Sequence, residues 1–162
     1  MDGVTIRPVA PDEYSVAGEL VVDGYRTLGD IGDEFYESDL RDVGGRVQTG
    51  EVLVAETEGR VVGCVTLSIG QTVLSEVDDP EAATIRMLGV SASARGRGVG
   101  QALVRGCVEE ARLRGCKRVR LDTRTSMSSA QRLYERLGFR RAPDHDWSPA
   151  PGILLLAYVL DL

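Results

Sequence analysis

The sequence predicts an α+β protein built on one mixed, mostly antiparallel, twisted sheet of about seven strands, with about four helices against it. Two observations carry this: short alternating or apolar runs bounded by turn residues, and segments of helical periodicity that end at glycine. A third sets a limit, because the longest apolar run, Ile153 to Leu160, has eight residues. That suits a buried strand and falls far short of the ~20 needed to cross a bilayer.

Val4 to Val9 alternates and ends near Pro8, as a first strand would. Pro11 to Tyr25 follows as a helix, with Asp12 and Glu13 in its first turn and Val16, Leu20 and Val21 as its apolar stripe. Residues 26–36 read as a loop around Gly29 and Gly32, and a second helix runs from Tyr36 to about Gln48, weakened by Gly44-Gly45. Val52–Thr57 and Val61–Ile69 flank Glu58-Gly59-Arg60 as a hairpin. Residues 70–82, with four acids and Pro80, read as an exposed loop before a strand over Thr84–Val90. Gly98–Arg114 is a helix facing inward with Val99, Ala102, Leu103, Gly106, Cys107 and Ala111, and Gly115 closes it. Arg118–Thr123 is a strand. Ser128 and Gln131 form the capping pattern S-x-x-Q of a short helix that Gly138 ends. Phe139–Arg141 and Gly152–Leu160 are two more strands, separated by a Pro-rich loop at 143–151.

With 162 residues, 43% hydrophobic and 27% charged, and no repeat or low-complexity tract, residues 1–162 are expected to form a single domain. The N-terminus shows no basic region followed by an apolar one, so a cytoplasmic address is expected and a membrane partner is not. Cys64, Cys107 and Cys116 lack paired ligand spacing, and His145 is the single histidine, so no metal site is expected and the thiols read as reduced. No G-x-S-x-G elbow supplies a hydrolase nucleophile.

The net charge of −6 conceals a division: residues 1–82 carry −13 and residues 83–162 carry +7. Two surfaces with different partners would produce this asymmetry, and so would solvated faces of unequal composition. A nucleic-acid partner is not expected, because the arginines of 95–141 lack interleaved exposed aromatics and the whole chain is acidic.

The segment richest in chemical meaning is Arg95-Gly96-Arg97-Gly98-Val99-Gly100, between a strand and a helix. Glycines there let backbone amides approach a ligand, and the helix N-terminus with Arg95 and Arg97 favours a phosphate. A plain connector is the competing reading of the turn taken alone. It is neither a P-loop nor a dinucleotide fingerprint, since no Gly-Lys-Ser/Thr follows and the glycine spacing is G-x-G-x-G.

Arg95 to Gly100 resembles the R/Q-x-x-G-x-G/A motif of the GNAT superfamily of N-acetyltransferases. Ile85–Val90 is similar to that family's fourth strand, and Ala130-Gln131-Arg132-Leu133-Tyr134-Glu135-Arg136-Leu137-Gly138-Phe139 resembles its A-x-x-L-Y-x-x-x-G-F element about forty residues on. The resemblance implies a GNAT-like fold splayed between strands 4 and 5, and acetyl-CoA as co-substrate. It assigns the pantetheine arm to the main chain of Leu88, Gly89 and Val90, and the pyrophosphate to the amides of Arg95, Gly96, Arg97, Gly98, Val99, Gly100 and Gln101. An amide near Leu88 would polarise the thioester carbonyl.

Tyr134 matches the family's tyrosine near the coenzyme sulfur, an acid suited to a departing thiolate, and its spacing with Ala130, Leu133 and Leu137 suits a core residue as well. Thr84 stands where many members carry a glutamate base, and Met127 where many carry asparagine. Asp122 matches a position where some amine-acetylating members hold an acidic base; a strand-end aspartate is its plain reading, and a water chain to Glu81, Glu76 or Tyr25 is an alternative route for the proton. The segments that wall the acceptor site in this family here include Asp30, Asp33, Glu34, Glu37, Asp39, Asp144 and Asp146, so a cationic small-molecule or peptide amine is an expected acceptor, with Trp147, Phe35 and Tyr36 as an aromatic face. The implied activity is direct acetyl transfer to a primary amine. Thr84 and Met127 keep open an acyl-CoA-binding sensor without catalysis, and the chain is expected as a monomer or homodimer.

Overall fold

The computed structural model describes residues 3–27, 34–70 and 79–162. Its elements run β1 (Thr5–Pro8), α1 (Tyr14–Thr27), α2 (Glu34–Arg41), α3 (Val43–Thr49), β2 (Glu51–Thr57), β3 (Arg60–Ile69), β4 (Ala82–Val90), α4 (Val99–Leu113), β5 (Arg118–Arg124), α5 (Ser128–Arg136), β6 (Arg140–Arg141), β7 (Trp147–Ala150) and β8 (Ile153–Asp161). Short 3₁₀ turns occupy Pro11–Glu13, Ala92–Ala94 and Pro143–His145. The strands form one sheet in the order β1-β2-β3-β4-β5-β8-β6, with β7 paired to β8. Every pairing is antiparallel except β4 with β5.

Alternation sorts the core into two layers. In β2, Leu53 and Ala55 join the cluster under α4 and α5, while Val52 and Val54 join the one under α1 and α3. A strand apolar on both faces belongs at the centre of such a sandwich. In β5, Val119 and Leu121 enter the α4/α5 cluster, which leaves Arg118, Arg120, Asp122 and Arg124 on the opposite face.

The buried stripe of α1 is Ala17, Gly18, Leu20, Val21, Val22 and Gly24, and Val16, expected inside, is 54% exposed. Small residues set this face. A Cβ on Gly18 would stand 2.8 Å from the Arg41 carbonyl oxygen, so α2 crosses α1 at a distance that only glycine allows. The helix expected over 36–48 is two helices. Asp42 interrupts it by accepting a hydrogen bond from Gly45 N at 3.0 Å and capping α3, while the buried guanidinium of Arg46 donates to the Asp39 and Leu40 carbonyls that end α2.

Two further expectations change. The loop at 143–151 holds β7. The capping pair of α5 does not form: Met127 is the cap position, and Gln131 reaches back to donate to the Arg124 and Thr125 carbonyls at 3.0 and 3.3 Å. Gly138 closes α5 as expected, at φ 96°, with Phe139 N donating to Tyr134 O at 3.0 Å. The three cysteines are free thiols, Cys64 and Cys107 buried. Among the described residues no helix is long and apolar enough to cross a membrane.

Gly18→Ala will overpack the α1–α2 crossing and lower unfolding stability by about 1–3 kcal/mol in urea denaturation; an unchanged midpoint would show that α2 moves aside freely.

Candidate active site

The site begins where two strands stop pairing. β4 and β5 share three register pairs, Ala82 with Arg118, Ala83 with Val119 and Thr84 with Arg120, and beyond Thr84 they part. From Ile85 onward the edge of β4 facing β5 has no strand partner among the described residues. On its other edge, Met87 and Leu88 together oppose Val65 of β3, a β-bulge, and Met87 takes φ 55°. A left-handed conformation is strained for a residue with a long side chain, so the surrounding packing holds it. The bulge inverts the alternation: Met87 enters the α1 layer, and Leu88 packs on the α4 layer. Gly89 then faces α1, where an added Cβ would meet Val21 Cα at 3.0 Å.

A cavity of about 460 Å³ fills the parting. Leu88 and Val90 of β4, Asp122 and Arg124 of β5, Met127, Leu133 and Tyr134 around α5, and Tyr25 and Tyr36 of the first helices all line it. The β7–β8 hairpin closes one side with Trp147, Pro149, Ile153 and Leu155. The two proposed proton-transfer residues therefore share one cavity.

Asp122 accepts a hydrogen bond from Trp147 Nε1 at 3.1 Å. Burial pushes its carboxyl above the ordinary carboxylate range; the Trp147 hydrogen bond and the guanidiniums of Arg120 and Arg86 pull the other way, and Asp146 adds to the rise. Tyr134 is 6% exposed, and burial pushes its phenol up to about 12. Its ring lies 6.0 Å from Phe139 and 6.2 Å from Tyr158, so the residue is core and cavity wall at once. Burial also raises the Tyr25 phenol, which stands edge-on to Tyr36 at 5.9 Å.

The glycine turn lies beside the cavity. Gly96 and Gly98 take φ 75° and 79°, conformations that favour glycine, and Gly98 is the cap position of α4. Arg95, Gly96, Arg97 and Gly98 are exposed, Gly100 and Gln101 half-buried, and no acidic residue occupies the first turn of α4. The leading N–H groups of a helix lack intrahelical partners, so this fifteen-residue helix presents amide donors and the positive end of its dipole here. The Val99 side chain is buried, leaving only its backbone for a ligand.

Thr84 is buried, and its hydroxyl has no hydrogen-bond partner among the described residues; it does not line the cavity. Glu81 pairs with Lys117 at 3.3 Å and is likewise outside the lining, whereas Tyr25 is within it. Asp30, Asp33 and Glu76 lie outside the described residues, as do the side chains of Glu34 and Phe35. Of the remaining acidic wall, Glu37 pairs with Arg26 and Arg41, Asp146 with Arg141 at 2.7 Å, and Asp39 and Asp144 are exposed. None of these four lines the cavity; its described lining carries one carboxylate, Asp122, and two arginines, Arg86 and Arg124. Arg86 and the hairpin wall escape sequence reading. An arginine interrupting the apolar run of β4 is the signal by which the former could have been found, whereas the hairpin depends on a pairing of β7 with β8 that no short motif encodes.

The model of the acetyltransferase (GNAT) family matches residues 20–139. The chain belongs to this family. Among curated relatives, an uncharacterized N-acetyltransferase of Methanocaldococcus jannaschii is 35% identical over 142 residues, covering 83% of this chain and 60% of the relative. N-acetylaspartate synthetase of Danio rerio is 33% identical over 100 residues, 62% of this chain and 33% of that protein. This GNAT chain thus spans between a third and three fifths of the length of those relatives. Among solved structures, ribosomal-protein-alanine N-acetyltransferase from Brucella melitensis matches with a TM-score of 0.77 at 22% identity, covering 98% of this chain and 99% of that one. An acetyltransferase from Salmonella typhimurium with its cofactor acetyl-CoA matches at 0.73 and 19% identity, over 99% and 95% of the two chains. At those identities the likeness is one of fold, and it extends the GNAT architecture over the whole described chain.

Trp147→Phe removes the donor that stabilises the charged form of Asp122, so its carboxyl will titrate at higher pH in carbon-detected NMR; a titration that stays in place would show that the indole does not hold the carboxylate.

Proposed function

We propose that this GNAT chain, as one domain over residues 1–162, transfers an acetyl group from acetyl-CoA directly to a primary amine. The observation that carries the reading is that Asp122 and Tyr134 line one cavity, opened by the parting of β4 and β5 beside an amide-rich helix start. In this reading the pantetheine arm pairs with the main chain of Leu88, Gly89 and Val90, and the pyrophosphate rests on the turn from Arg95 to Gln101. The unpaired edge supports the first, and the positive-φ glycines support the second.

The amine nitrogen attacks the thioester carbonyl carbon, and its excess proton passes to the Asp122 carboxylate. A backbone amide near the bulge at Met87–Leu88 stabilises the oxyanion. Collapse breaks the C–S bond, and the departing thiolate takes the Tyr134 proton. A phenol held at about 12 keeps that proton through the neutral range and yields it only as negative charge develops on the departing sulfur. The raised Asp122 carboxyl is a stronger base than an exposed one, while Trp147 keeps it oriented. The acceptor fits an amino acid or polypeptide α-amine: one relative is named for making N-acetylaspartate and one fold neighbour for acting on alanine of ribosomal protein. The arginines of the lining suit an acceptor with an acidic group near its amine better than a polycation.

Tyr134→Phe and Asp122→Asn will each lower kcat by roughly 10²–10⁴-fold with the best amine of a panel, leaving acetyl-CoA affinity within a few fold. Tight acetyl-CoA binding without turnover of any amine in the parent protein would instead support an acyl-CoA sensor. A base must be deprotonated to act, so activity will fall as pH drops through the raised Asp122 value, and Tyr134 will cause no alkaline downturn across the neutral range. An acid limb unchanged in Asp122→Asn would remove Asp122 from the mechanism.

A further inference from the structure

A second cavity, of about 370 Å³, lies on the Asp122 face of β5 and shares no lining residue with the first. Its described walls carry Arg118, Arg120 and Arg140, together with His145, against a single carboxylate, Asp79, and Val159 forms part of its floor. Two of the guanidiniums have partners. Arg118 holds Asp79 through two hydrogen bonds of 3.0 and 2.8 Å, and the exposed Arg140 meets the exposed Asp161 at 3.3 Å.

Arg120 differs. It is 8% exposed, and its buried Nε has no hydrogen-bond partner among the described residues. A guanidinium cannot shed its proton to escape burial, and an uncompensated buried charge is unfavourable. Asp122, two residues along the same face, offers electrostatic attraction without a hydrogen bond to it. The cation therefore lines this cavity with its Nε donor unmet, beside the Arg118 and Arg140 guanidiniums and the His145 imidazole.

We propose that this cavity is an oxyanion-binding site, separate from the acetyl-transfer cavity, in which Arg120 with Arg118, Arg140 and His145 holds a phosphate or carboxylate group of a small molecule. The fork of a guanidinium matches either group in two-point contact, and the pairing of Arg118 with Asp79 fixes one donor set before the ligand arrives. Among the described residues its lining holds no acid except that paired Asp79, and its volume admits a ligand larger than a bare phosphate.

The site is tested by calorimetric titration of inorganic phosphate and, separately, citrate into protein saturated with acetyl-CoA, which keeps the ligand off the turn at 95–101. The expected result is saturable binding of one equivalent, with a dissociation constant on the order of 1 mM or tighter, weakened at least tenfold by Arg120→Gln and also by Arg140→Gln. Preference for phosphate or for citrate identifies which chemistry the site takes. Arg140 is exposed, so its replacement leaves the fold intact, and a thermal melt of Arg120→Gln separates lost binding from lost structure. No saturable binding of either anion, or binding that both variants keep, overturns the proposal. It does not rest on the transferase reading: should acetyl-CoA fail to bind, the same titration of unliganded protein and its two variants gives the same decision.

Discussion

β4 and β5 run side by side for three residue pairs and then separate, and the placing of every candidate group follows from that parting. Two constraints hold it open. The bulge at Met87–Leu88 turns β4 within its pairing to β3, and β8 keeps β5 in register from Arg118 to Arg124 on the other side. A strand anchored along each outer edge cannot close the gap between them by sliding. Helices then fill both faces: α1 presses on Gly89 from one side and α5 brings Tyr134 from the other, so the cavity is lined rather than collapsed.

The charge asymmetry takes a more exact form in three dimensions. Much of the basic half is consumed locally, since Arg114, Arg118 and Arg141 are committed to Glu51 and Glu110, to Asp79, and to Asp146. These pairs are partly or fully open to solvent, where an ion pair contributes little to stability, and they leave only a subset of arginines for a ligand. Arg95 and Arg97 stand exposed at the start of α4, and Arg120 stands buried behind β5. The acidic half is similarly spent where it is described, with Glu37 and Glu19 tied to Arg41 and Glu13 to Arg7. Counting charges along a chain thus overstates the field that a ligand would meet.

Most of the sheet was legible because β5 carries apolar residues at a period of two, β2 is a short apolar run buried on both faces, and α4 carries apolar residues at helical spacing. The glycine turn and the A-x-x-L-Y-x-x-x-G-F stretch were legible because each needs particular residues: glycine for positive φ, and tyrosine to reach both the core and the cavity. What escaped depended on distant partners. The break at Asp42 needs Arg46 to reach the end of α2, Gln131 abandons its cap for carbonyls outside the helix, and β7 exists through its pairing with β8. Trp147 could be suspected of an aromatic role, but its hydrogen bond to Asp122, twenty-five residues away, is a fact of the folded chain.

If acetyl-CoA binds along the edge of β4 that β5 leaves open and on the adjoining turn, amide hydrogen exchange with and without acetyl-CoA will register both contacts. Protection should appear together at Leu88–Val90 and at Arg95–Gln101, two segments joined by one extended ligand, with β1 and β2 unchanged. Bound acetyl-CoA that leaves both segments exchanging as before would mean that the coenzyme binds elsewhere on the chain.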